Sequence, residues 1–151
     1  MILFVCHGNV ARSQFAEALV RQRGVPEVMS AGTHVPDERE GNTLADDGQT
    51  ARDAAQRFLQ ITGIGISRME RKRLSQQMVD RATRIIVMTD PSHLPGYVAG
   101  ASDKVEFWGV DDPHGMDAEG YRVVIDDIRG RVEALLRTPC TNGRSGQTAG
   151  P

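Results

Sequence analysis

Ile2-Leu3-Phe4-Val5-Cys6-His7-Gly8-Asn9-Val10-Ala11-Arg12-Ser13-Gln14-Phe15-Ala16-Glu17-Ala18-Leu19-Val20 is the stretch on which the reading of this chain turns. Ile2 to Val5 is continuously apolar and ends at a glycine-containing turn, the pattern of a strand buried on both faces. Phe15, Ala16, Leu19 and Val20 then share one face of a helix. Residues 6–13 therefore join a buried strand to a helix N-terminus. Such a loop turns several backbone N–H groups toward one point, and the helix dipole adds positive potential there. Gly8 removes a side chain at the bend, and Asn9 tolerates a left-handed φ. Arg12 adds a planar fork of donors that matches two oxygens of a phosphate-like anion. The same field favours a thiolate at Cys6, and Ser13 is placed to hydrogen-bond that sulfur. A nucleophile and an anion cradle thus come from one segment, with Cys6 and Arg12 as its reacting pair. His7, Gly8, Asn9, Val10, Ala11, Arg12 and Ser13 line the oxyanion. No Gly-Lys-Ser/Thr follows Gly8, so the loop is not a nucleotide-binding P-loop.

Outward from that loop, residues 27–31 read as a second short strand ending at Gly32. The polar run 33–48 reads as a loop. Ala51, Ala54, Ala55, Phe58 and Leu59 give a second helix, with Asp46 and Asp47 near its start, where the dipole favours them. Residues 75–82 form a short helix, 84–89 a third strand and 105–108 a fourth. A long last helix over 118–137 turns Tyr121, Val124, Ile125, Ile128, Val132, Leu135 and Leu136 inward. This alternation predicts an α/β fold, a single domain over 1–137 with a four-stranded parallel sheet flanked by helices on both faces. The Gly/Thr/Ser-rich tail, 138–151, has no apolar periodicity and is expected to be disordered. In such folds ligands sit beyond the carboxyl ends of the strands, which is where Cys6 falls.

Composition sets the frame. The chain has 151 residues, 39% hydrophobic and 25% charged, with a formal charge of −2, and suits one soluble domain without attraction to nucleic acid or anionic membrane. The opening residues are too short for a signal peptide, and only two cysteines are present, Cys6 and Cys140. Both points lead to the expectation of a reducing, cytoplasmic setting. The histidines, His7, His34, His93 and His114, lack ligand spacing, so no metal is expected. His34 and His93 read as surface loop residues. Arg68, Arg71, Lys72 and Arg73 read as a solvated basic face.

Val5 through Ala18 resembles the N-terminal signature of the low-molecular-weight protein tyrosine phosphatase superfamily, which includes one group of arsenate reductases. Ser30-Ala31-Gly32-Thr33, Ile85-Ile86-Val87-Met88-Thr89 and Asp112-Pro113 follow in the family's order. The resemblance covers residues 1 to about 137. It implies a phosphocysteine intermediate, no metal or other cofactor, and Asp112, the Asp before Pro, as general acid. The chemistry needs such a group to protonate a leaving oxygen and later to deprotonate water. Asp111 competes for that role. Glu17 matches a position that supports the active loop.

The pattern also departs from the phosphatases. His114-Gly115 stands where tyrosines usually follow Asp-Pro, and His7 where an apolar residue is common. Residues 33–48 hold no Phe, Tyr or Trp, and Ala11 replaces a frequent second cysteine. Gln14 and the run 108–113 lean toward the reductases, whereas Val10 suits a tyrosine phosphatase better than an arginine phosphatase, which tends to carry Thr. The leading expectation is a cysteine-dependent phosphomonoesterase acting on phosphotyrosine-like esters of a phosphorylated protein. The rival is arsenate reduction by Cys6 with an external low-molecular-weight thiol of the mycothiol type. A third reading is an inactive phosphate-binding module.

Overall fold

The computed structural model describes residues 1–138 of the chain. The expectation of a disordered tail and any role for Cys140 lie outside the described residues. Four strands form one wholly parallel sheet in the order β2-β1-β3-β4: β1 is Ile2–Cys6, β2 Val28–Gly32, β3 Arg84–Val87 and β4 Val105–Phe107. Five α-helices accompany them: α1 Arg12–Gln22, α2 Gln49–Thr62, α3 Gln76–Arg81, α4 Gly96–Ala99 and α5 Ala118–Arg137.

The continuous apolar run of β1 is explained by the two cores it separates. Phe4 and Cys6 point to one side, where Phe15 of α1, Phe58 of α2 and Ile125 of α5 pack. Leu3 and Val5 point to the other, against Val79 of α3 and Val98 of α4. Alternate side chains of one strand thus serve opposite layers. The Phe15 and Phe58 rings stack with centroids 4.6 Å apart, tying α1 to α2. The inward set read for the last helix is buried except Leu136, which is half-buried.

Three details differ from the sequence expectation. The polar run before α2 contains short 3₁₀ turns at Asp37–Arg39 and Leu44–Asp46, and α4 was not foreseen because four residues are too few to show a period. Asp47 does not serve the α2 dipole. α2 starts at Gln49 behind Gly48, and the Asp47 carboxylate is buried against Arg71.

Connection order reverses between β2 and β3, which lie on opposite sides of β1. That leaves a crevice beyond the carboxyl ends of β1 and β3. Cys6 ends β1 at this point, and Met88 follows β3.

Candidate active site

Asn9 is the hinge of the loop. Its φ of 54° lies in the left-handed region, and its backbone N–H points back to the Cys6 sulfur at 3.3 Å. The side chain is wholly buried and spends every polar atom. The amide nitrogen donates to Ser13 Oγ at 2.8 Å and Ser30 Oγ at 2.9 Å, while Oδ1 accepts from the Lys72 N–H at 2.7 Å. Ser30 in turn donates to Glu17 Oε1 at 2.6 Å. Ser13 Oγ accepts from Asn9 and lies 2.9 Å from Cys6 Sγ, so its hydroxyl proton donates to that sulfur when Cys6 is a thiolate. Glu17 therefore acts on the sulfur through three intermediaries.

Around the bend, each peptide that turns its N–H inward turns a carbonyl outward into protein. Those carbonyls have dedicated donors. Arg71 gives Nε and Nη2 to Gly8 O at 3.0 and 2.8 Å. Gln14, wholly buried, gives Nε2 to Asn9 O at 3.1 Å and to Glu70 O at 2.9 Å. Arg71 is held by Asp47 Oδ2 at 2.7 Å, and Asp47 also accepts from Asn42 Nδ2 at 3.0 Å. Arg71 is only 7% exposed. The solvated basic face read from the sequence is thus wrong for this residue: burial against a carboxylate and a carbonyl claims its whole guanidinium. Gly32 is a further requirement. A Cβ there would lie 2.8 Å from His7 O and 2.9 Å from Asn9 N, so only glycine lets β2 run this close behind the loop.

At the other end of the loop, no side chain caps α1 at Ala11, which leaves the first-turn N–H groups facing the cradle. Arg12 starts α1 and crosses the crevice. Its Nη1 donates to Met88 O beyond β3 and lies 3.4 Å from Val110 O. Its Nη2 is 3.8 Å from Asp112 Oδ2. A cavity of about 150 Å³ opens here, lined by Cys6, His7, Val10, Arg12, Asp112 and Tyr121 among others. Asp112 rather than Asp111 lines it. The Asp112 side chain is 59% exposed, and its Oδ1 accepts the His114 N–H at 3.1 Å, which steadies the turn. A larger concavity of about 770 Å³ lies at the amino ends of β3 and β4, around Arg84 and Lys104, and is lined by no cysteine or histidine.

The mouth brings together three residues that the sequence left apart. His7 and His34 stack with ring centroids 4.4 Å apart, and His93 stands across both at 5.6 and 5.5 Å. Partial burial, then the His34 and His93 imidazoles and the Arg12 guanidinium, hold the His7 imidazole below its usual range, while Asp112 opposes them. Among the described residues, no three His, Cys, Asp or Glu side chains are arranged to hold a metal ion. No described helix is long and apolar enough to cross a membrane.

Sequence reasoning found Cys6, Asn9, Arg12, Ser13 and Asp112, and the structure brings them to one cavity or its wall. It missed Arg71, Asp47, Ser30, Gln14 and the tight approach at Gly32. Only the glycine at the end of β2 carried any local signal.

Comparisons with known proteins identify the family and the fold. The family model described as Low molecular weight phosphotyrosine protein phosphatase matches residues 1–143. A protein-arginine-phosphatase of Geobacillus stearothermophilus is 28% identical over 152 residues, covering 89% of this chain and 92% of that one. The crystal structure of a low molecular weight protein tyrosine phosphatase from T. tengcongensis superposes with a TM-score of 0.72 at 27% identity, covering 90% of this chain and 97% of that one. Wzb of Vibrio vulnificus, solved with benzylphosphonate, shares the fold with a TM-score of 0.73 at 20% identity, covering 90% of this chain and 96% of its own.

Proposed function

This chain belongs to the low molecular weight phosphotyrosine protein phosphatase family and is a phosphatase, and from that premise we propose that it hydrolyses phosphotyrosine-like monoesters through a phosphocysteine at Cys6. One observation carries the reading. The Cys6 sulfur sits at the floor of the cavity with the Asn9 N–H and the Ser13 hydroxyl turned on it, under Arg12 and opposite Asp112.

The chemistry follows from the groups present. The Cys6 thiolate attacks phosphorus in line with the leaving oxygen, while the inward N–H groups of residues 8–13 and the Arg12 fork hold the equatorial oxygens. Asp112 gives its proton to the leaving oxygen as the P–O bond breaks. It then takes a proton from water, whose oxygen attacks the phosphocysteine, and the thiolate departs with inorganic phosphate released. The Ser13 O–H stabilises the sulfur whenever it carries negative charge. Val10 on the cavity wall supports an aryl ester over a phosphoarginine, the substrate class in the name of the Geobacillus relative. The catalytic unit is residues 1–137, working in the cytoplasm on phosphorylated proteins.

Arsenate reduction shares the first step but needs a second thiol, and Cys6 is the free cysteine among the described residues. Gln14 and the run 108–113 resemble that branch, but no second thiol stands near Cys6 among the described residues. The test compares p-nitrophenyl phosphate hydrolysis without thiols against arsenite formation from arsenate with thioredoxin, glutathione or mycothiol. Thiol-independent hydrolysis that disappears in Cys6→Ser, while that variant still binds vanadate, is the expected result. Arsenite formation without esterase activity would overturn the proposal.

A further inference from the structure

Three imidazoles from three different connections meet at the mouth of the cavity: His7 after β1, His34 after β2 and His93 after β3. All three are exposed, so no burial of apolar surface explains their meeting. Of the three, only His34 has a side-chain hydrogen bond, its Nδ1 lying 2.7 Å from the neighbouring Thr33 Oγ1. The charged groups facing them are few. Arg12 and Asp112 act on His7 from the cavity side, and Asp90 acts on His93 from its own turn. Asp90 is itself occupied by the Ser92 N–H at 2.9 Å, and Asp112 by the His114 N–H.

This arrangement has a definite electrostatic behaviour. Three neutral rings stack without cost, but each proton added to one makes the next harder to add, and Arg12 adds to the penalty. A monovalent or divalent anion resting on the rings reverses that penalty, because it stabilises every protonated form at once. A cluster of imidazoles placed this way can receive an anion, weakly when neutral and more strongly when protonated. His7 lines the cavity, and the other two rings stand against it from outside the lining.

Resting on the phosphatase reading of Cys6 and Arg12, we propose that His7, His34 and His93 form a second anion subsite that binds an acidic side chain flanking the phosphorylated residue of a peptide substrate. The ligand class is a phosphopeptide with Asp or Glu beside its phosphorylated residue. Protonated imidazoles hold an anion and neutral ones do not, so the preference grows as pH falls. The contacts are exposed, so the preference is modest and salt-sensitive.

The experiment uses two phosphotyrosine peptides that differ only in carrying Glu or Gln on both sides of the phosphorylated residue. Comparing the pair at each pH cancels the titration of the phosphate itself. The wild-type chain should favour the Glu peptide in kcat/KM by about 5-fold near pH 6 and show little preference near pH 8. His34→Ala/His93→Ala should bring the two peptides level at both pH values, with p-nitrophenyl phosphate hydrolysis within about 2-fold of wild type. Equal treatment of the peptides by wild type at pH 6, or a preference that survives in the double variant, would overturn the subsite. Affinities of the same peptides for the Cys6→Ser chain, by fluorescence anisotropy, give the comparison independently of turnover. Absent hydrolysis with the pH-dependent preference still present in binding would count against the phosphatase reading and for the subsite.

Discussion

The floor and the mouth of this cavity are built on opposite plans. At the floor, Asn9, Ser13, Gln14 and Ser30 are wholly buried, and Glu17, Asp47 and Arg71 nearly so. Their bonds close on one another with a single buried side-chain atom left over among the described residues, Gln14 Oε1. At the mouth, His7, His34, His93, Asp112 and His114 are exposed and make few bonds. Buried polar groups that are fully partnered have one arrangement, because any other leaves an orphan in a low-dielectric interior. Exposed groups exchange a protein partner for water at little cost. The floor thus holds the chemistry fixed, and the mouth is free to differ in what it admits.

Arg71→Met strikes the floor hardest. It strands the buried Asp47 carboxylate and leaves Gly8 O without its two donors. Arg39 Nη1, 3.5 Å from Asp47, softens the loss, so about 3 kcal/mol of stability is expected to go, the low end for breaking a buried pair. Thermal or denaturant unfolding measures it. Arg71→Met/Asp47→Leu should recover much of the stability but little of the activity, since Gly8 O remains unserved. Full recovery of both would mean that the carbonyl needs no anchor.

Asp112→Asn tests the boundary, as an exposed residue with a chemical duty. Hydrolysis of alkyl phosphates should slow by about 10²–10⁴, and that of p-nitrophenyl phosphate far less, because an activated leaving group departs without a proton. Asp111→Asn should be milder on both. The reverse order would move the acid one residue earlier.

Gly32→Ala pushes a methyl into the loop backbone from behind. Overpacking of this kind costs about 1–3 kcal/mol, and a displacement of the cradle by a fraction of an ångström lowers kcat by up to about 100-fold. Steady-state kinetics beside a melting curve separates the two. The smallest effect belongs to His114→Ala, whose backbone N–H, not its ring, serves Asp112. Its kcat for an aryl phosphate should stay within about 2-fold of wild type, in the range usual for exposed side chains away from buried features.

Much of this was legible in the sequence, for reasons visible at particular residues. Ile2 to Val5 announced a strand buried on both faces because both cores draw on it, and Cys6 to Ser13 announced a cradle because its parts are contiguous. Ala118–Arg137 showed a helix because twenty residues display a period. The rest was hidden where the partners lie far apart along the chain. Arg71 looks like its neighbours Arg68 and Arg73 until Asp47 and Gly8 fold against it. Arg73 does stay near the surface, pairing with Asp37. The histidines are separated by 27 and 59 positions, and no pattern in one strand–loop unit reveals what the next two units place beside it.

The loop is also laced to the strand behind it. The Thr33 N–H donates to Cys6 O at 3.0 Å and the His34 N–H to His7 O at 2.8 Å, while Gly32 exchanges bonds with the segment bearing Arg71, its N–H to Lys72 O at 2.8 Å and its carbonyl accepting the Leu74 N–H at 2.9 Å. An active-site loop so stitched has no private way to open. The amides of Gly32, Thr33, His34 and Leu74, which make these bonds, should exchange with deuterium only as slowly as those of β1 and β2, so the cradle melts when the sheet melts and not before. Heating such a molecule leaves catalysis intact to the edge of unfolding, and the quantity that sets its working range is the cooperativity of the whole domain.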